Sequence, residues 1–130
     1  MNANAAALRQ YQSVDLRATV ETASPHKLIA MLFEGALKAM AKAKGAAERG
    51  NTTERTQQLN KASDILVHLR AMLDVEKGGE YAQNLYALYG YMIRRVISAN
   101  RDNSPEAAQE VIDLLLQVKL GWDEVPVEDR

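Results

Sequence analysis

The sequence predicts an all-α fold, an antiparallel up-down four-helix bundle with a short N-terminal arm. Three observations point there. Apolar residues recur at spacings of three and four along four long stretches, the period of a helix with one buried face. Three prolines and seven glycines fall at few places among 130 residues, so the elements between them are long. No stretch alternates apolar and polar residues as a half-buried strand does. Connections of about four to seven residues make consecutive helices antiparallel neighbours. A chain of this length is expected to form one domain, 1–130, and to bury roughly two-thirds of its unfolded surface.

Residues 1–23 are small, polar and mixed. Ala5-Ala6-Ala7-Leu8 supports a turn or two of helix that is marginal in isolation, and Tyr11, Val14 and Val20 are its apolar hooks. A partly mobile arm, docked weakly on the body, is expected. Ser24-Pro25 opens the first helix, predicted over 24–50. The serine hydroxyl can accept from a free first-turn amide, and proline loses nothing at the first helical position. Its stripe is Leu28, Ile29, Leu32, Phe33, Ala36, Leu37, Met40, Ala43 and Ala47. Gly35 marks a close helix approach, and Gly50-Asn51 ends the helix.

Asn51-Thr52-Thr53 offers caps for a second helix over 53–73, with Leu59, Ala62, Ile65, Leu66, Leu69, Met72 and Leu73 inward. Gly78-Gly79 then breaks the chain, since adjacent glycines pack nothing and lose the most backbone freedom in a helix. The third helix, predicted over 80–99, is the one around which the rest is organised. Ala82, Leu85, Leu88 or Tyr89, Met92 and Val96 make one row, and Tyr86, Tyr89, Ile93 and Ile97 a second beside it. Four of the five tyrosines fall between 81 and 91. One face cannot hold all this apolar surface, so part is expected to face the core and part to remain for another chain. A helix simply covered on both sides is the plainer reading of the same stripe. Ser104-Pro105 repeats the earlier start device and opens a fourth helix over 105–122, whose stripe is Ala108, Val111, Ile112, Leu115, Leu116, Val118 and Trp122. Pro126 stops it.

The totals narrow the function. Sixteen basic against seventeen acidic residues leave a net charge of −1, which gives no long-range pull toward nucleic acid or an anionic membrane. With no cysteine, disulfide and thiolate chemistry are excluded. The N-terminus lacks the basic start and apolar run of a signal peptide. No apolar run approaches the ~20 residues of a membrane span, so no membrane insertion is expected and the cytoplasm is the expected location.

No catalytic or metal-ligating residue emerges, and no cofactor is expected. The histidines, His26 and His68, do not follow a glutamate by three residues as in di-iron bundles. Zinc and phosphate-loop signatures are missing. Ser24 and Ser104 serve better as caps than as nucleophiles. A phosphotransfer bundle would need an exposed histidine beside a basic group to hold phosphoryl oxygens. His68-Leu69-Arg70 matches that only thinly, and an ordinary half-buried histidine is preferred. Glu76, Lys77 and Glu80 read as a solvated turn, and a structural self-associating bundle is the remaining alternative.

Three separated blocks carry a family resemblance. They are Tyr11-Gln12 in the arm, Thr22-Ala23-Ser24-Pro25-His26-Lys27-Leu28-Ile29 continuing to Ala36, and Leu73-Asp74 through Glu76-Lys77-Gly78-Gly79-Glu80 to Tyr91-Met92. With Trp122 they resemble the flagellar secretion chaperone family FliS over nearly the whole chain, in order. Tyr81 departs from the aliphatic residue expected there. The resemblance implies a cytoplasmic, non-enzymatic helical bundle that binds the disordered C-terminal segment of flagellin, prevents its premature polymerisation and delivers it to the flagellar export gate. It also implies an N-terminal arm that occupies part of the binding surface when the client is absent. On that reading Leu85, Tyr86, Tyr89, Ile93 and Ile97 supply contact area, while Leu8 and Tyr11 belong to the displaceable cap. A homodimer formed through the vacant surface is a further expectation.

Overall fold

The computed structural model describes residues 24–124. Leu8, Tyr11, the rest of the predicted arm and Pro126 lie outside the described residues. Helices α1 (Pro25–Arg49), α2 (Thr52–Ala71), α3 (Gly79–Asp102) and α4 (Pro105–Glu124) follow one another. Each packs against its chain neighbours, and α4 closes the ring against α1, giving the up-down bundle that the periodicity predicts.

Local chemistry sets each boundary. Ser24 accepts from the Lys27 amide at 3.2 Å and Pro25 occupies the first turn. Gly50 ends α1 at φ 72°, the left-handed conformation that costs glycine nothing. The Asn51 amide then bonds back to Ala46 O at 2.9 Å. Asn51 also caps α2, its side chain accepting from the Glu54 amide at 3.0 Å, so this helix starts at Thr52. Between α2 and α3, Asp74 closes the turn twice: its carboxylate accepts from the Lys77 amide at 3.0 Å and its carbonyl from the Gly78 amide at 2.8 Å. Ser104 repeats the Ser24 device, accepting from the Ala107 amide at 3.0 Å.

α3 continues three residues beyond Ala99 and ends at Asn103, whose φ of 49° terminates it. Asparagine tolerates this left-handed state better than most residues. Here the end is also held from outside, because Arg55 of α2 donates to the Asn103 side chain and to Asn100, which Thr56 also reaches. The extra turn is thus a tertiary effect.

The core runs through all four helices and includes Leu32, Phe33, Met40, Leu66, Met92, Val111 and Leu115, each essentially solvent-free. Gly35 sits where a Cβ would lie 3.3 Å from Ile65 Cδ1, which is the close α1–α2 approach that the sequence suggests. The fourth-helix stripe needs one correction. Leu116 is exposed, because Val111, Leu115 and Val118 define the inward face and residue 116 lies about 100° around from its neighbour.

Candidate functional site

α3 buries one row of side chains, Ala82, Tyr89, Met92, Val96 and Ala99, and also Gly90 on the flank toward α2. Tyr89, not Leu88, takes the inward position: both fit helical spacing, but Tyr89 is buried and Leu88 only half-buried. Tyr89 is only 2% exposed. Its assignment as a surface contact is therefore corrected: the ring fills the core. Burial pushes its hydroxyl well above the usual phenol range, and Tyr81 adds to the shift.

Two apolar faces flank this row. On the α4 side, Leu85 and Leu88 join Tyr81, Val118 and Gly121 around an open trough of about 270 Å³. A smaller cavity of about 40 Å³ adjoins it, sharing Tyr81, Leu85 and Val118 and reaching Phe33 and Trp122. Leu85 is half-buried and belongs to both. The His26 ring stacks on Trp122 with centroids 5.6 Å apart, pinning the start of α1 to the end of α4 at this mouth.

On the α2 side, Tyr86 and Ile97 are 46% and 58% exposed, and Val67 of α2 is exposed as well. Ile93 is half-buried. The Arg70 guanidinium lies over the Tyr86 ring, 5.2 Å from its centroid, which holds a large ring in place at a solvent-facing position. The sequence-predicted residues therefore divide three ways: Tyr86, Ile93 and Ile97 on the α2 side, Leu85 at the trough, and Tyr89 inside.

Further along the α4 side, Arg95 Nε donates to Glu110 at 2.6 Å and the Tyr91 hydroxyl donates to the same carboxylate at 3.0 Å. These two donors, Arg95 foremost, hold the Glu110 carboxyl below the usual carboxylate range. Sequence reasoning missed Val67, Tyr81, Leu116 and Leu120 as exposed apolar residues. Val67 and Leu120 sit off every stripe and give no periodic signal. Tyr81, beside the double glycine, drew notice only as a departure from a family pattern. Among the described residues no cluster of His, Asp or Glu is arranged to hold a metal ion, and no helix is long and apolar enough to cross a membrane.

Apolar side chains thus remain outside the core on both flanks of α3, and sequence comparison gives the chain's family. Residues 7–129 match the family described as Flagellar protein FliS. The chain belongs to the FliS family. Among FliS relatives, the flagellar secretion chaperone FliSB of Pseudomonas aeruginosa is 47% identical over 117 residues, covering 90% of this chain and 93% of the relative. The flagellar secretion chaperones FliS of Salmonella typhimurium and Vibrio cholerae are 42% and 36% identical, each over 93% of this chain and 90% and 89% of the relative. The matched span includes all of α1 to α4, so the FliS relationship covers the trough and the α2–α3 face alike.

Proposed function

We propose that this chain is a flagellar secretion chaperone whose client is the disordered C-terminal segment of flagellin. The observation that carries the reading is the surplus of apolar surface on both flanks of α3, in a chain of the FliS family. A segment that orders on binding loses chain entropy at that moment and needs a long contact surface to offset it. The trough beside Leu85 suits the apolar residues of a docked helical piece, and the face bearing Tyr86, Ile93 and Ile97 suits a second. On this reading the protein acts in the cytosol without chemistry of its own, keeps the client from polymerising and passes it to a component of the flagellar export gate. Leu8 and Tyr11 cover part of the surface in the free state, and two copies associate through it when neither arm nor client does.

The test is to mix the full chain with the C-terminal segment of flagellin from the same organism and measure the mass of the product by light scattering. A one-to-one complex is expected, with a gain in helical circular dichroism over the separate components. Two unchanged species would refute the reading. His68 is half-buried near the end of α2, and no observation favours the phosphotransfer alternative.

A further inference from the structure

Arg70 and Arg94 approach one point from neighbouring helices. A Cβ built on Gly90 would lie 3.6 Å from Arg70 Nη1 and 3.5 Å from Arg94 Nη1. Both guanidiniums therefore overlie the same bare stretch of α3 backbone. Two like charges gathered at one place repel, and an anion received between them would offset that repulsion. Among the described residues neither arginine is in an ion pair; the pairs involve Arg49, Arg95, Arg101 and lysines. The Tyr86 ring fixes Arg70 through its face, and that contact leaves the N–H edge of the guanidinium free to donate.

Glycine inside a helix weakens it relative to alanine, yet at Gly90, which is buried, the missing side chain lets both guanidiniums lie close against the α3 backbone. Two arginine forks at one place suit a carboxylate, whose two oxygens accept paired N–H bonds. The flanks are apolar: Val67 lies one turn from Arg70 on α2, Tyr86 one turn from Gly90, and Ile97 one turn from Arg94. The two guanidiniums at Gly90 sit on a chain of net charge −1, which gives a polyanion no broad attraction. A single acidic side chain within an apolar peptide matches both the charge and its surroundings.

We infer that Arg70 and Arg94, straddling Gly90, form a carboxylate clamp for an acidic side chain of the peptide segment that docks along the α2–α3 face. The clamp rests on the client-binding reading above and adds to it a polar anchor that sets the register of an otherwise slippery apolar contact.

Calorimetric titration of the full chain with the flagellin C-terminal segment, and with the same segment carrying Asn and Gln at every Asp and Glu, tests it. The unaltered chain is expected to bind the acidic segment roughly tenfold tighter than the amidated one. The Arg70→Gln/Arg94→Gln variant is expected to bind both alike, at the weaker level, with its helical circular dichroism intact. Gly90→Leu, which pushes the two guanidiniums apart and keeps both charges, is expected to lose the same discrimination with its helical circular dichroism intact. No binding of either segment to the unaltered chain would overturn the client reading and the clamp together. Equal binding of both segments, or discrimination that survives in the double arginine variant, would overturn the clamp and leave the client reading standing. Equal binding that tightens in a Glu128→Gln/Asp129→Asn variant would assign the arginine pair to this chain's own C-terminal carboxylates, and that too would overturn the clamp.

Discussion

Tyr86 and Tyr89 stand one turn apart on α3 and have opposite surroundings. Tyr89 is enclosed by the core, so its removal leaves a cavity that the bundle cannot fill by collapse. Tyr89→Ala is expected to cost about 3 kcal/mol of stability in urea unfolding. Tyr86 is packed on one side by Arg70 and open on the other. Tyr86→Ala is expected to change stability by less than about 1 kcal/mol and to weaken binding of the flagellin segment by on the order of 2 kcal/mol if its ring is an anchor. A stable Tyr89→Ala variant with weakened binding would reverse the two roles. Gly78 makes the third residue-scale case. A Cβ there would meet Ala82 Cβ at 2.5 Å and Asp74 O at 2.8 Å. Neither atom is the end of a flexible side chain, so the turn itself must shift. Gly78→Ala is expected to lower the urea midpoint by an amount equivalent to about 1–3 kcal/mol. The glycine pair was legible as a break, while the carbonyl that makes Gly78 obligatory sits in the folded turn and has no sequence signature.

At the scale of the elements, starts were more legible than ends. Ser24-Pro25 and Ser104-Pro105 act through atoms within three residues, so the sequence contains the whole device. Ser104→Ala is expected to remove about 1 kcal/mol, with thermal unfolding as the readout. The end of α3 depends on Arg55 from another helix, a partner that periodicity cannot supply. Helix phase was similarly underdetermined. Two apolar rows on α3 established that the helix is doubly apolar, but choosing between Leu88 and Tyr89 required the positions of α1, α2 and α4. The α3–α4 contact also has a pH signature. Glu110 titrates below its unfolded value because Arg95 and Tyr91 donate to its charged form. Its contribution to stability is therefore present above the unfolded carboxyl range and lost as pH falls through the lower folded value. Denaturant midpoints of the parent and Glu110→Gln chains are expected to converge as acid is added, and parallel curves would show that the triad does not link the helices.

Among the described residues the core changes in side-chain size along the bundle. Toward one end the core is rich in alanine, with Ala43, Ala46, Ala99, Ala107 and Ala108 beside Leu59 and Val111. At the other end Phe33, Leu69, Leu85, Tyr89, Val118 and Trp122 must share the space, and both the cavity and the trough lie there. Large side chains that do not interlock leave gaps, and each gap forfeits dispersion contacts. The same end carries the α2–α3 turn and the start of α1. Opening free energy should thus vary along α3, lowest in the turns beside the trough. In native-state amide exchange, Leu85 to Tyr89 are expected to exchange on the order of tenfold faster than Met92 to Val96, a difference of about 1.4 kcal/mol in opening free energy. Adding the flagellin segment should slow the first group through the trough and should also slow Ile93 and Arg94, where the second piece docks, because a guest stabilises what it touches. Uniform exchange along α3 in the free chain would mean that the bundle opens as one unit and that its loosely filled end confers no local softness for a client to exploit.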